Sequence, residues 1–349
     1  MLRYYIIFFC LSLSLLSCAS YQPDGPPTKK IAVLLPLSGP YARLGKAVQE
    51  GITDRYYQHA ADDTTLVYYD THAYNDMETV YKQLLLDHCD FIIGPLTKQE
   101  VQDFADEYKG TPPAISLNYL DKGSDFYQFG LLPKDEIIAV ATLAWHQGKR
   151  SALVIAPDTE NGQSTALIFK QVWLSLGGAV KDNYPFTTND RLPNDLAQHL
   201  GINDSKQRIR QLEKTIGQTV VATPSVRQDI DMIFLVADAK TARTITPLLR
   251  FYYANHLPVY ATASVYTGIA QEKIDADLNG IYFCDANLVF GTTHSRLYGL
   301  GADAYLLSQE LPTSPIKGLT GDIYNEPNHQ LTRHMTCGQF VKGIPHAID

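Results

Sequence analysis

At 349 residues, with 45% hydrophobic and 19% charged residues, the chain can bury a sizeable core in one large or two modest domains. Its net charge is -8 and it holds no basic run, which argues against nucleic acid as a partner, because a phosphate backbone is gripped by clustered Lys and Arg.

Arg3 is the only early charge, and Tyr4 to Leu16 is an apolar core of export-signal length, too short to span a bilayer. It ends in Leu15-Leu16-Ser17-Cys18, which resembles the lipobox of bacterial lipoproteins. Residues 1–17 are therefore expected to be a signal peptide and Cys18 the lipidated amino terminus. Ala19 follows it in place of the aspartate that retains lipoproteins in the inner membrane, so the resemblance implies the outer membrane. Residues 18–30 hold Pro23, Gly25, Pro26 and Pro27 with no apolar period. They read as a tether reaching on the order of 40 Å when extended.

Ile31 to Leu37 is an unbroken apolar run that reads as a strand buried on both faces. Ser38-Gly39-Pro40 breaks it, and Leu44, Val48, Ile52 and Tyr56 then fall at helical spacing, with Gly45 and Gly51 as weak points. In an open α/β sheet the turn at Ser38 to Tyr41 is the natural lip of a ligand cleft. Strands are expected over 65–70, 91–96 and 114–117, with helices between them. A second round opens with a helix over 135–147 and a strand over 151–156, then a helix over 164–176 closed by Gly177-Gly178. The charged, amide-rich stretch 187–205 reads as a surface loop. Strands over 232–236 and 258–262 flank a helix over 239–256, and past Leu278 the one clear element is a helix over about 297–311. The expected fold is α/β, two lobes each built on a doubly wound, mostly parallel sheet. Lobe 1 spans about 31–134 plus part of 283–312, and lobe 2 about 135–282 plus the C-terminal segment.

No nucleophile elbow, zinc-binding helix or phosphate loop is present. Gly299-Leu300-Gly301-Ala302-Asp303-Ala304 has dinucleotide-fingerprint spacing but lacks a preceding strand. The histidines are scattered and acid pairs such as Asp62-Asp63 and Asp275/Asp277 sit in polar loops, so neither catalytic residues, metal ligands nor a cofactor are expected. With Cys10 in the leader and Cys18 lipidated, Cys89, Cys284 and Cys337 remain. They allow one disulfide at most, or buried free thiols. Phe251-Tyr252-Tyr253 ends a helix before Pro258 and is a candidate partner surface, although Tyr252 also fits the helix's core face.

The ordered segments IAVLLPLSGPYARLG, FIIGPL, AISLN, FGLLPKDE, ALVIAP, DMIFLVAD, LLRFYYANHLPVYATASVYTG, DLNGIYFCD and RLYGLGADAYLL resemble the penicillin-binding protein activator (LppC) family of lipoproteins from Ile31 to near Val341. The resemblance implies a fold like that of type I periplasmic binding proteins. It also implies a non-enzymatic activator that docks on a class A bifunctional penicillin-binding protein and stimulates peptidoglycan cross-linking. Better-known members carry a helical repeat domain where the Pro-rich tether stands here, so the chain is expected to be a short form. The alternative is a solute receptor for an amino-acid-like ligand or cell-wall fragment. Its cleft would use Ser38, Thr97 and Asn118 for a carboxylate, with Gly39 in the same turn and Tyr41, Tyr119 and Tyr266 at the mouth.

Overall fold

The computed structural model describes residues 29–59, 63–121, 123–311 and 313–348. The expected signal peptide, Cys18 and the expected tether up to residue 28 lie outside the described residues.

The chain opens with β1 (Lys29–Leu35), α1 (Ala42–His59), β2 (Thr64–Asp70), α2 (Met77–Leu86), β3 (Phe91–Ile93), α3 (Lys98–Glu107), β4 (Ala114–Ser116) and β5 (Tyr127–Gln128). These strands form one parallel sheet in the order β2-β1-β3-β4-β5. Strand β1 lies between β2 and β3, and its fully buried Ile31 to Leu35 face helices on both sides, which is why the run does not alternate.

The second round comprises α4 (Pro133–His146), β6 (Ser151–Pro157), α5 (Glu160–Ser175), β7 (Ala179–Phe186), α6 (Leu192–His199), α7 (Ile202–Ile216), β8 (Met232–Leu235), α8 (Ala239–Phe251), β9 (Val259–Ala261), α9 (Glu272–Asp275) and β10 (Ile281–Asp285). The chain continues through α10 (Arg296–Gln309), β11 (Ile316–Lys317), β12 (Asp322–Asn325), β13 (Leu331–His334), β14 (Thr336–Val341) and β15 (Ile344–Ala347). The second sheet has the order β15-β14-β10-β9-β8-β6-β7, parallel except that β14 runs antiparallel to both of its neighbours, β10 and β15. Thus the chain runs from lobe 1 to lobe 2 between β5 and α4 and returns between β10 and α10. It crosses again at Met335, between β13 and β14.

Three expectations are corrected. Residues 187–205 are not a plain loop: α6 and the start of α7 lie there, with Leu192, Leu196, Leu200 and Ile202 in the lobe 2 core. Their helical spacing was hidden by the polar residues of the outer face. The C-terminal segment is divided, because Ile323 and Leu331 pack into the lobe 1 core while β14 and β15 join the lobe 2 sheet. Gly45 and Gly51 are contact points rather than weak points. A Cβ at Gly51 would stand 1.9 Å from the Tyr298 carbonyl oxygen, and one at Gly301 2.1 Å from that of Val48. Gly51 of α1 and Gly301 of α10 therefore let two helix backbones meet, and α10 is buried along most of its length.

Cys284 and Cys337 are register partners on β10 and β14 and form a disulfide, while Cys89 is a buried free thiol.

Candidate functional site

At the carboxyl end of β1 the chain must turn sharply into α1, and Gly39 does so with φ +71°, a left-handed conformation suited to glycine. The exposed Ser38 stands on that lip, with Tyr41 53% exposed beside it. Two main-chain donors of the turn, those of Leu37 and Ser38, are already taken. Asp70, at the end of the neighbouring β2, accepts the N–H groups of Leu37 at 2.8 Å and of Ser38 and His72 at 3.2 Å. Partial burial opposes its charge, but hydrogen bonds from the Ser38 hydroxyl and these N–H groups outweigh that and hold its pKa below the usual carboxylate range. The His72 ring lies against Gly39 so closely that a Cβ there would meet it at 2.3 Å.

The other carboxylate candidates are likewise engaged. Thr97 caps α3 in a reciprocal capping box with Glu100, whose other oxygen accepts the Thr71 hydroxyl at 2.5 Å. Asn118 donates to the Leu96 carbonyl and accepts the Tyr119 N–H, and the Tyr119 hydroxyl donates to the Leu331 carbonyl. Ser38, Gly39, Tyr41, Thr97 and Asn118 thus gather on one rim of lobe 1, with Ser38, Thr97 and Asn118 tied into turns and caps. Tyr266 does not join them. It is 5% exposed, with its ring packed against Phe283 and Phe340 in the lobe 2 core. At the helix end beyond, Phe251 and Tyr253 are 71% and 51% exposed, whereas Tyr252 is buried in the core and drops out of the candidate surface.

The crossings carry a polar cluster that the sequence reading did not single out. Arg296, at the start of α10, pairs with Asp285 at the end of β10 and donates to the carbonyls of Ala263 and Tyr266. Arg333 of β13 pairs with Asp135 of α4 at 3.2 Å, and both side chains are buried. Glu136 accepts the Ala263 N–H at 2.9 Å. Burial, reinforced by the Asp285 charge and opposed by that N–H and by Arg296 and Arg333, pushes its carboxyl up to about 7. Only the acidic start of α4 was visible beforehand, since the partners lie up to 198 residues away. Among the described residues no group of His, Cys, Asp and Glu could hold a metal ion.

The geometry is therefore that of a two-lobe α/β protein of the periplasmic binding protein type whose cleft lip is satisfied from within. The family model described as "LppC putative lipoprotein" matches residues 23–343, and the chain belongs to that family. Penicillin-binding protein activator LpoA of Photobacterium profundum is 26% identical over 91% of the chain, which spans 57% of that relative's length. The C-domain of LpoA from Haemophilus influenzae, described as a regulator of PBP1A, superposes with a TM-score of 0.70 at 23% identity, covering 92% of this chain and all of that one. An ABC transporter substrate-binding protein from Sphaerobacter thermophilus gives a TM-score of 0.61 at 16% identity, covering 92% and 97%. The shared fold thus serves both kinds of protein.

Proposed function

We propose that this chain is a lipoprotein, held in the outer membrane through Cys18, that binds a class A bifunctional penicillin-binding protein and stimulates its peptidoglycan cross-linking. The observation that carries this reading is family membership over residues 23–343, which takes in both lobes. The cleft lip supports it. A receptor for a free carboxylate needs unsatisfied N–H donors on the lip, and here Asp70 already accepts those of Leu37 and Ser38. The chain acts by docking rather than by chemistry of its own, and the exposed Phe251 and Tyr253 offer an apolar anchor of the kind interfaces use.

The test is to mix residues 19–349 with the class A penicillin-binding proteins of the same organism and measure binding and cross-linking rate together. Binding with faster cross-linking is expected. Absence of binding to every one of them would refute the activator reading.

A further inference from the structure

Helix α7 packs on α6 and then leaves the body of lobe 2. Ile202 and Ser205 in its first turn are buried, and the Ser205 hydroxyl accepts the Ser225 N–H at 3.0 Å. Beyond Ser205 no residue of the helix is buried. Gly217 ends it with φ +69°, and the chain runs back over residues 218–231 without helix or strand before β8 begins. By helical spacing Ser205, Ile209, Leu212 and Ile216 line one face, so the stripe that starts in the core continues outward along the arm. Leu212 and Ile216 are each 50% exposed, and Val221 on the returning segment is fully exposed.

Charge identifies what this face fits. Lys206, Arg208, Arg210 and Lys214 against Asp204 and Glu213 give α7 a net charge of +2 in a chain of net charge -8. All four cations are exposed, and among the described residues none has an ion pair or hydrogen-bond partner. Helical spacing puts Lys206 and Arg210 on one flank of the stripe and Arg208 on the other, while Glu213 is held by the Val220 N–H at 3.0 Å. An apolar stripe flanked by unpaired cations on long apolar stems is the pattern of a helix lying in an anionic lipid interface.

We propose that α7 docks on an anionic phospholipid surface, with Ile209, Leu212 and Ile216 entering the acyl boundary and Lys206, Arg208 and Arg210 on headgroup phosphates. The proposal takes from the lipoprotein reading only the nearness of a bilayer, since the chemistry is that of the helix itself. A lipid anchor alone leaves the domain free to turn on its tether, whereas a second contact through α7 sets which face of lobe 2 meets the membrane.

The experiment floats residues 19–349 with vesicles of phosphatidylcholine alone and of phosphatidylcholine and phosphatidylglycerol in equal parts, at low and high salt. Binding to the mixed vesicles is expected to be at least about tenfold stronger and to weaken with salt, because each Lys or Arg near an anionic surface contributes about fivefold. Leu212→Gln with Ile216→Gln should weaken it about tenfold or more. Lys206→Gln, Arg208→Gln and Arg210→Gln together should abolish the preference for anionic lipid. These are exposed or half-buried helix positions, so circular dichroism should show the fold unchanged, and Phe251→Ser with Tyr253→Ser should bind vesicles as the unaltered chain does. No preference for the anionic vesicles, or undiminished vesicle binding in the Leu212 and Ile216 variant, would overturn the proposal. If that variant keeps vesicle binding and instead loses the penicillin-binding protein, the stripe belongs to a protein interface. Vesicle binding and synthase binding are measured separately, so either reading can fail alone.

Discussion

Replacing Asp70 by alanine tests whether the cleft lip is held from within. The substitution removes an acceptor shared by three main-chain N–H groups at 2.8 to 3.2 Å and by the Ser38 hydroxyl. Hydrogen bonds to a charged group contribute about 1.5–3 kcal/mol each when buried. Here Ser38 is exposed and Leu37 half-buried, so water can take over part of what the carboxylate supplied. The loss should be about 1–2 kcal/mol in total, equivalent to roughly a 5- to 30-fold shift in the folding equilibrium. Its pH dependence follows from the depressed pKa. The carboxylate stabilises the fold above its unfolded value, near 4, and that contribution disappears as pH falls through the lower folded value. Urea unfolding of both proteins at pH 7 and again below pH 3 should show a gap at the first pH that narrows at the second. A loss under about 0.5 kcal/mol at pH 7, or one that does not change with pH, would refute this account of the turn.

Gly301→Ala gains up to about 1 kcal/mol of helix propensity but drives its Cβ into the Val48 carbonyl. Because backbone cannot rotate away as a side chain can, a net loss of about 1–2 kcal/mol is expected in thermal unfolding. Gly291→Ala, with nothing within 4 Å of its Cβ, should stay within about 0.5 kcal/mol. Reducing Cys284–Cys337, which closes a separation of 53 residues, should cost about 2–4 kcal/mol, read as a lower melting temperature in reductant. Phe251→Ser and Tyr253→Ser should leave stability within about 0.5 kcal/mol while weakening binding to the proposed penicillin-binding protein partner about tenfold or more. Tyr252→Ala should instead lose about 3 kcal/mol of stability, as core truncations do. Unchanged binding in both surface variants would remove that patch from the interface.

These residues define what kind of machine the molecule is. Two lobes joined by three crossings are the frame of a solute receptor, yet the lip where a carboxylate would enter carries its own carboxylate, and Tyr266 is turned into the core. What the frame retains is a pair of lobes and a charged junction between them. Arg333–Asp135 and Arg296–Asp285 hold that junction, and breaking such a buried pair from one side costs about 3–5 kcal/mol, so it is suited to fix how the lobes meet.

The alternation of strands and helices was legible in the sequence because it is carried by local signals: unbroken apolar runs at Ile31 and Phe91, glycine stops at Gly177, and helical stripes at Val101 and Ile245. Two lobes followed from that alternation, and the family from the order of its segments. What depended on partners distant in the chain was hidden. Gly51 looked like a weak point and Gly301 like part of a fingerprint until α1 and α10 were seen to touch through them, while Gly45 proved to face the Pro36 carbonyl. Ser38 and Thr97 looked available as ligand donors until Asp70 and Glu100 were placed beside them. The choice of Cys284–Cys337 over the other pairings came from strand register, and Arg333 showed no sign of burial in a polar tail. Secondary structure is set by neighbours a few residues apart, whereas satisfaction of a buried charge or N–H is set by whatever the fold brings within 3 Å. Only the tertiary structure decided that.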